Sequence, residues 1–302
     1  MDRTVTTIID AERCTGCGLC IRVCPSETLS LENGKAVVTG SESIGCGHCQ
    51  AVCPADAIRV EALPDDALAL ETIPVSDRWI PHGAFDSAEL VGLMRSRRSC
   101  RNFHDRPVGR PLLRDLVKIG TTAPSGSNRQ QWTFTVLPER RAVKALAETV
   151  AGFFRKLNRR AANPVLRSLL GMVGRKELAT YYRDYHRAIE EKLSDWEQGG
   201  RDWLFWGAPA VIVVGSTPEA VCPAEDAMLA TGNMLLAAHA MGLGTCAIGF
   251  AVAAMKNDPA ILDRLGIPRT EAVWAVIAMG WPDEAYQRLA GRKPAMVRFF
   301  EV

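Results

Sequence analysis

Apolar residues in the carboxyl-terminal two thirds of the chain fall into short continuous runs and into longer stretches with a helical period. The short runs cover residues 132–137, 208–215 and 272–279, and the second contains Val211-Ile-Val-Val214. Runs of this length are too short for capped globular helices and are rich in β-branched residues, which is typical of buried strands. We therefore predict three strands at these positions.

The longer stretches predict helices before and between these strands. Asp86-Ser87 can cap a helix that continues through Leu90, Val91 and Met94, and Arg110-Pro111 opens another with Leu112, Leu113, Leu116 and Val117 on its inner face. Residues 139–158 show a third helical period. Helices that alternate with strands indicate an α+β fold, namely an α-β-α sandwich whose central sheet is covered on both faces.

Residues 227–255 contain no Asp, Glu, Lys or Arg, so their apolar length alone would suit a membrane span. Thr231, Asn233 and His239 interrupt the apolar surface, and Gly242-Leu-Gly244 divides the stretch. We interpret it as a buried helix followed by a strand at 245–249, with His239 a core residue.

Residues from about 152 to 203 form a helical insert that begins with many basic residues and ends with Tyr181, Tyr182, Tyr185 and Trp196. It could act as a lid or a subunit contact. It could also be a solvated helical hairpin whose apolar residues Leu166, Leu169, Leu170 and Val173 pack on the core, or dock on a membrane surface.

Seven cysteines near the amino terminus have the spacing of a two-cluster bacterial ferredoxin, in which the cysteine before proline ligates the other cluster. Crossed ligation assigns one complete four-iron four-sulfur cluster to Cys14, Cys17, Cys20 and Cys53. The remaining ligands are Cys24, Cys46 and Cys49. Zinc sites and disulfides are the alternatives for such cysteines.

Ser43 stands where the second run normally begins with cysteine. An alkoxide is a harder ligand than a thiolate. The second cluster is therefore expected to be either a 4Fe-4S cube with an oxygen or water ligand or a 3Fe-4S cluster. His48 lies in the same loop and is expected to donate a hydrogen bond to a cluster sulfide.

The length of 302 residues, with 47% hydrophobic and 23% charged residues, suits a small module plus one larger domain. We expect an iron-sulfur domain at 1–60, a proline-containing linker at 61–84 and a larger domain at 85–302. The net charge of +2 is too small to produce a field that would attract nucleic acid. The first residues lack an apolar leader, so a reducing cytoplasm is the expected compartment.

Further segments contain residues that are suited to bind a phosphate group and a planar ring. Arg97, Arg98, Ser99 and Arg101 could clamp a phosphate, because guanidinium groups bind phosphate oxygens bidentately. The loop from Ala123 to Trp132 has small residues that permit close approach to a ring, and 242–250 can present backbone N–H groups. Arg292 and Lys293 add positive charge near the carboxyl terminus.

In this order and spacing, these segments resemble the nitroreductase family of FMN-dependent oxidoreductases, and the whole chain is similar to its ferredoxin-fused members. The resemblance implies a homodimer with FMN at the subunit interface. It places Arg97, Arg98, Ser99 and Arg101, with Arg292 or Lys293, on the phosphate and ribityl chain. It places Ile248 and Gly249 at the flavin N5 edge. The partner subunit would supply Pro124, Ser125 and Gly126, with Asn128 and Gln130 at the family's Asn-x-Gln positions.

The sequence also departs from the family. Gln131 stands where the family usually has proline, and Gly126 where serine is frequent. The insert replaces a segment that in many members contacts the pyrimidine edge of the flavin. Cys100, Cys222 and Cys246 are expected to be buried small apolar residues, and no side chain is assigned as a catalytic acid or nucleophile.

The main hypothesis is a reductase that takes electrons from a low-potential donor, passes them through the clusters to FMN and delivers them to a small organic acceptor, such as a nitro compound, quinone or activated alkene. An external ferredoxin-like donor is favoured over NAD(P)H. A non-catalytic electron-transfer or redox-sensing subunit is the alternative, and a flavin-remodelling or dehalogenating enzyme is a third possibility.

Overall fold

The computed structural model describes residues 3–64, 66–76 and 78–301. Its amino-terminal part contains two antiparallel strand pairs, in which β1 (Thr7–Ile9) pairs with β4 (Ile58–Val60) and β2 (Leu29–Glu32) with β3 (Lys35–Val38). Two short helices, α1 (Leu19–Arg22) and α2 (His48–Val52), follow the cysteine loops. A small core that includes Leu29, Ile58 and Val60 holds these elements together.

Each of these short helices is preceded by a glycine with a left-handed backbone. Gly18 has φ 75° and Gly47 has φ 73°. A side chain at either position would strain the backbone, because only glycine adopts this region at no cost. The glycines therefore allow each loop to turn sharply around its cysteines.

The segment after β4 lies against a helix of the larger part, α4 (Arg110–Gly120). Asp115 is fully buried and accepts hydrogen bonds from the backbone N–H groups of Glu71 and Thr72, at 2.9 and 2.7 Å, and from the Thr72 hydroxyl. Lys118 Nζ donates to the carbonyl of Ala69 at 2.5 Å. The expected linker is thus held at a defined place on the second domain.

A four-stranded antiparallel sheet forms the centre of the larger part, in the order β5-β6-β8-β7. Its strands are β5 (Trp132–Leu137), β6 (Ala210–Ser216), β7 (Gly244–Ala247) and β8 (Ala272–Gly280). The three strands predicted from apolar runs are confirmed, the first with the predicted bounds and the others within two residues.

Helices cover both faces of this sheet, as predicted. One core packs α4 and α9 (Pro223–Ala240) against side chains such as Ile212, Ile277 and Met279. The other packs α5 (Arg140–Ala162), α10 (Gly249–Asn257) and α11 (Pro259–Leu265) against Val211, Val213 and Val276. Successive side chains of β6 point to opposite faces of the sheet, and helices cover both faces, so all residues of β6 are buried.

The uncharged stretch at 227–255 is a helix, a strand and a second helix. The predicted strand at 245–249 is wrong at its end, because β7 stops at Ala247 and Gly249 already begins α10. Ile248 stands between them, and its backbone N–H donates to Val276 O of β8 at 2.8 Å. Across the part of the chain that the structure describes, no helix is long and apolar enough to cross a bilayer.

The insert contains α6 (Pro164–Met172), α7 (Glu177–Tyr181), a π-helical turn (Tyr182–His186) and α8 (Arg187–Glu197). The apolar face predicted around α6 does not pack on the core, since Leu169 is 52% and Val173 70% exposed. It is α8 that reaches the core, through Leu193 and the partly buried Ile189 and Trp196.

Two other apolar surfaces remain exposed. The helix α3 (Ser87–Ser96) has the predicted Asp86 cap, whose carboxylate accepts from Ala88 N and Glu89 N, but it buries none of its residues. Residues 283–301 form no helix or strand, and Phe299 and Phe300 are about nine-tenths exposed. These surfaces are available to a partner.

Candidate cofactor sites and substrate cavity

The predicted cysteine ligands separate into two sets that line two different cavities. The first cavity is lined by Cys14, Cys17, Cys20 and Cys53. The second is lined by Cys24, Cys46, Cys49 and Ser43. These are the sets that crossed ligation requires, although Cys53 and Cys24 are distant in sequence from the other members of their sets.

Backbone N–H groups point at several of the sulfur atoms. Ala36 N donates to Cys14 Sγ at 3.4 Å, Ala57 N to Cys53 Sγ at 3.3 Å and Thr28 N to Cys24 Sγ at 3.4 Å. The hydrogen bond from Ala36 lowers the pKa of the Cys14 thiol, while burial raises the pKa of Cys20 and of Cys49. Donors aimed at sulfur are the surroundings that an iron-sulfur cluster needs, because they stabilise its negative charge.

No three His, Cys, Asp or Glu side chains of residues 3–64, 66–76 and 78–301 converge closely enough to hold a single metal ion. A cluster differs from a single ion in that its thiolate ligands bind separate iron atoms. The two sets of thiols and the N–H donors directed at them are thus compatible with clusters, although not with a single metal ion. The set of three thiols has Ser43 Oγ beside it, and this oxygen accepts a hydrogen bond from Gly45 N at 3.1 Å.

The arginine segment lies along the edge strand of the central sheet. Ser99 forms a parallel bridge with Thr245 of β7, and Cys100 N donates to Thr245 O at 2.9 Å. This pairing brings Arg97 and Arg101 beside Cys246. The structure thus brings together the predicted phosphate-binding segment and the predicted N5 edge, Ile248 and Gly249.

Glu284, which the sequence analysis did not identify, holds this segment in place. Its carboxylate accepts hydrogen bonds from Cys100 Sγ at 2.7 Å, Arg101 N at 3.1 Å and Asn102 Nδ2 at 2.8 Å. Burial works to raise the pKa of Glu284, but these hydrogen bonds keep it below its ordinary value. Burial and the bond to Glu284 raise the pKa of Cys100 to about 12.

One buried polar atom at this edge fits a bound cofactor. Thr245 is 2% exposed, and its hydroxyl has no hydrogen-bond partner among the described residues. An unpaired buried hydroxyl costs free energy unless a ligand satisfies it. Thr245 is the bridge partner of Ser99 and directly precedes Cys246, next to the segments that the resemblance places on the cofactor.

A cavity of about 660 Å³ opens beside the same edge. Arg101 and residues Cys246 to Phe250 form one side of it, and Phe154 and the insert residues Tyr185, Lys192 and Trp196 form much of the rest. The volume lies in the range of small-molecule sites, and the lining is mainly apolar and aromatic.

Tryptophans and arginines meet beside this cavity, and Arg101, Trp203 and Trp206 line it. Trp203 and Trp206 pack edge to face with ring centroids 5.4 Å apart. The Arg101 guanidinium lies 5.6 Å from the Trp206 ring, and that of Arg201 lies 5.1 Å from it. Sequence reasoning missed this cluster, because only the fold brings Arg101 to the end of the insert.

The small-residue loop lies elsewhere. Gly126 N donates to Asp226 Oδ1 at 2.9 Å in the first turn of α9. A Cβ at Gly126 would stand 3.0 Å from Cys222 Sγ, so a serine at this position would require the Cys222 side chain to shift. The Asn128 amide donates to the carbonyls of Gly45 and Ile44, at 2.9 and 3.3 Å, in the loop before Cys46.

The predicted flavin residues therefore form separate groups within one chain. Asp226, beside Gly126, and His239, which lies near Arg97, are about 20 Å apart along α9. Pro124, Ser125, Gly126, Asn128 and Gln130 are at one end of this helix, and the arginine segment is at the other. Arg292 and Lys293 lie in the exposed carboxyl-terminal segment.

The remaining single residues differ in part from expectation. Cys100 and Cys246 are buried, at 3% and 4% exposure, but Cys222 is only partly buried. Burial raises the pKa of Cys246, against the effect of a hydrogen bond from Arg101. His239 is partly buried, and burial followed by the charge of Arg97 lowers its pKa.

Comparisons with known proteins agree with this geometry. The nitroreductase family model matches residues 94–281, and the 4Fe-4S dicluster domain model matches residues 6–62. A nitroreductase with bound FMN from Bacteroides fragilis NCTC 9343 superposes with a TM-score of 0.53 at 22% identity, over 70% of this chain and 99% of that chain. This similarity concerns the fold.

Curated relatives cover about two thirds of the chain. The 4-nitrobenzoate reductase of Nocardioides sp. (strain LMS-CY) is 28% identical over 66% of this chain and 81% of its own length. An iodotyrosine deiodinase of Haliscomenobacter hydrossis is 26% identical over the same shares. Because the nitroreductase model spans well over half of the residues, the chain belongs to the nitroreductase family of FMN-dependent oxidoreductases, here preceded by a 4Fe-4S dicluster domain.

Proposed function

We propose that this protein is a reductase that uses a low-potential one-electron donor to reduce a small organic acceptor. Bound clusters would supply one-electron transfer, and bound FMN would supply two-electron chemistry at the acceptor. The chain's own residues bind these groups, orient them and shape the space for the acceptor. No side chain is needed as a nucleophile.

The proposed FMN contacts follow from the edge beside β7. Arg97, Arg98, Ser99 and Arg101 bind the phosphate and the ribityl chain, since they combine positive charge with hydrogen-bond donors next to the unpaired Thr245 hydroxyl. Ile248 N donates to Val276 O at 2.8 Å, so the proposed donor to the N5 edge is the backbone N–H of Gly249, the first residue of α10, and Ile248 lines the edge beside it.

The cavity of about 660 Å³ is the observation that carries the proposal. A subunit that only conducts electrons needs no space for a small molecule beside the flavin edge, whereas a reductase does. Residues of α8 and the aromatic side chains of the insert exclude water from this space, which strengthens electrostatic interactions inside it. We therefore assign the insert the role of a wall over the acceptor.

A homodimer completes this site in the proposal. The loop at 124–130 and the arginine segment lie at opposite ends of α9, so one chain cannot place both against one flavin. A second copy would supply the loop and would cover the exposed apolar residues of α3 and of 283–301. Arg292 or Lys293 would reach the phosphate in the same assembly.

The proposed donor is an external ferredoxin-like carrier in a reducing cytoplasm. Cys17 is exposed, so a carrier can approach the first set closely. Direct reduction by NAD(P)H would leave the clusters without a role. Mixing the oxidised protein with NADH tests this: flavin bleaching while the clusters stay oxidised would reverse the assignment.

The acceptor is tested by substrate-dependent reoxidation. The protein is photoreduced anaerobically and mixed with a nitrobenzoate, a quinone, an activated alkene or an iodophenol, and the flavin absorbance is followed. We expect at least one compound to reoxidise the flavin much faster than buffer does. If only protein carriers accept electrons, the non-catalytic alternative replaces the reductase.

A further inference from the structure

One contact joins the iron-sulfur part of the chain to the proposed flavin loop. Asn128 Nδ2 donates to Gly45 O at 2.9 Å and to Ile44 O at 3.3 Å. Gly45 directly precedes Cys46, and both Ile44 and Gly45 line the cavity of the second cysteine set. A side chain expected to serve the flavin therefore contacts the loop that carries a cluster ligand.

The first set has a different environment. Cys14 is bonded within its own module, through Ala36 N to its sulfur and Lys35 Nζ to its carbonyl. Cys17 of this set is exposed. The two sets thus differ in position: one presents a thiol to solvent, and the other lies behind a loop that is bonded to residue 128.

The orientation of the Asn128 amide is fixed by its own loop. Gln130 Nε2 donates to Asn128 Oδ1 at 3.0 Å, so the amide nitrogen is the atom directed at the two carbonyls. Ser125 Oγ in turn accepts from Gln130 N at 3.0 Å. Asn128 has φ 53°, a left-handed conformation that asparagine tolerates better than most residues.

We propose that the second set, Cys24, Cys46 and Cys49 beside Ser43, is where electrons leave the iron-sulfur module, and that Asn128 is the positioning residue that holds this set against the flavin loop. The inference rests on the proposed function. Each transfer removes one electron from the cluster of the second set and adds one to the flavin, so two transfers and a proton from water complete its reduction. No bond of the chain forms or breaks.

The test uses the full chain with clusters and FMN and compares wild type with Asn128→Asp and Asn128→Gly. The aspartate variant keeps the size of the side chain but faces two carbonyl oxygens without a donor. The glycine variant deletes the amide and retains the left-handed backbone. Asn33→Asp is the matched control, because Asn33 is an exposed left-handed asparagine at φ 49° in the turn between β2 and β3.

Reduced methyl viologen is mixed anaerobically with each protein while cluster and flavin absorbance are followed separately. We expect the rate of cluster reduction to be unchanged in every variant. Flavin reduction should slow about tenfold in Asn128→Asp, because this variant loses the hydrogen bonds that hold the loop before Cys46 against the flavin loop. Freeze-quench EPR should then show the second cluster still reduced while the flavin is oxidised. The Asn33→Asp protein should behave as wild type.

Unchanged flavin reduction in both Asn128 variants would overturn the inference and leave the proposed function intact. The same conclusion would follow if only the first cluster's signal persisted in the reduced state. If wild-type clusters fail to reduce the flavin at all, the proposed function itself is wrong. Iron and sulfide contents equal to wild type establish that the variants carry both clusters, and Asn128→Gly serves if the aspartate variant does not fold.

Discussion

Glu284 shows how a single carboxylate can hold in place the segment that we propose binds FMN. It accepts from a thiol, a backbone N–H and a side-chain amide within three consecutive residues, 100 to 102. Hydrogen bonds to charged groups are stronger than those between neutral groups. In the proposed site, the arginine segment is therefore held along β7 in advance, which would reduce the entropy cost of binding FMN there.

Replacing Glu284 with glutamine should weaken FMN binding. The charge is lost while one acceptor remains, so we expect the dissociation constant to rise about tenfold, equivalent to roughly 1.4 kcal/mol. Fluorescence titration of the apoprotein with FMN measures it. Glu148→Gln, which changes an exposed carboxylate on α5, is the control, and equal affinities in the two variants would exclude a positioning role.

Ser43 makes a second prediction at the residue scale. In wild type we expect EPR of a three-iron cluster, or of a cube with an oxygen ligand, together with one ordinary four-iron signal. Ser43→Cys should give two all-thiolate four-iron signals, because the new thiol lies in the cavity of Cys24, Cys46 and Cys49. Ser41→Cys, two residues away and exposed, should change neither signal. Two all-thiolate signals in wild type would refute the expectation.

Several residues could be placed in the site from sequence because their chemistry is local. The cysteine spacing gave the two sets directly, since ligands two or three residues apart share a loop. Glu284, Trp206 and Thr245 could not be found in this way. Glu284 and Trp206 contact Arg101, which is more than thirty residues away in the chain, and Thr245 is identified by its lack of a hydrogen-bond partner. A single sequence shows neither property.

At the scale of elements, the attachment of the linker to α4 depends on Asp115. Asp115→Ala should lower the free energy of unfolding by roughly 3 kcal/mol, because buried N–H groups of Glu71 and Thr72 lose their acceptor. Limited proteolysis should then cut within 66–76 faster than in wild type. Asp105→Ala, an exposed aspartate, should do neither, and slow cleavage in Asp115→Ala would show that other contacts suffice.

The same contact predicts a dependence on pH. Burial works to raise the pKa of Asp115, but hydrogen bonds from Thr72 and Glu71 hold it below the ordinary 3.8. A lowered folded-state pKa adds stability above pH 3.8, and this stability is lost as pH falls through the folded value. Thermal unfolding should thus show the wild type and Asp115→Ala converging below pH 3.8, and a constant difference would contradict it.

The elements that sequence patterns predicted well were those with one dominant environment. The strand at 132–137 and the helix cap at Asp86 were found because turn chemistry and β-branched runs decide them locally. One alternative for the insert, a hairpin whose apolar residues pack on the core, does not hold for Leu169 and Val173, which have a helical apolar period but remain exposed. A period shows which face is apolar, and it does not show what covers that face.

At the scale of the molecule, the proposed dimer can be tested by mixing two defective chains. One carries Arg97→Ala and Arg101→Ala, which removes its arginine segment. The other carries Cys46→Ala and Cys49→Ala, which removes its second set. A pair purified with two different tags should recover about half of the wild-type activity, since one of two sites remains complete. The homodimer of either variant alone should be inactive.

The separation of sites along α9 gives that experiment its meaning. The loop at 124–130 touches a chain's own cluster loop, yet it would line the flavin that the other chain's arginines hold. Electron transfer in such a dimer would be reciprocal, because the clusters of each subunit would reduce the flavin that the other subunit binds. In a monomer, the clusters would then have no flavin within reach of their own loop, and the flavin held by the arginines would have no cluster beside it. Dimerisation would therefore be the step that makes the enzyme active.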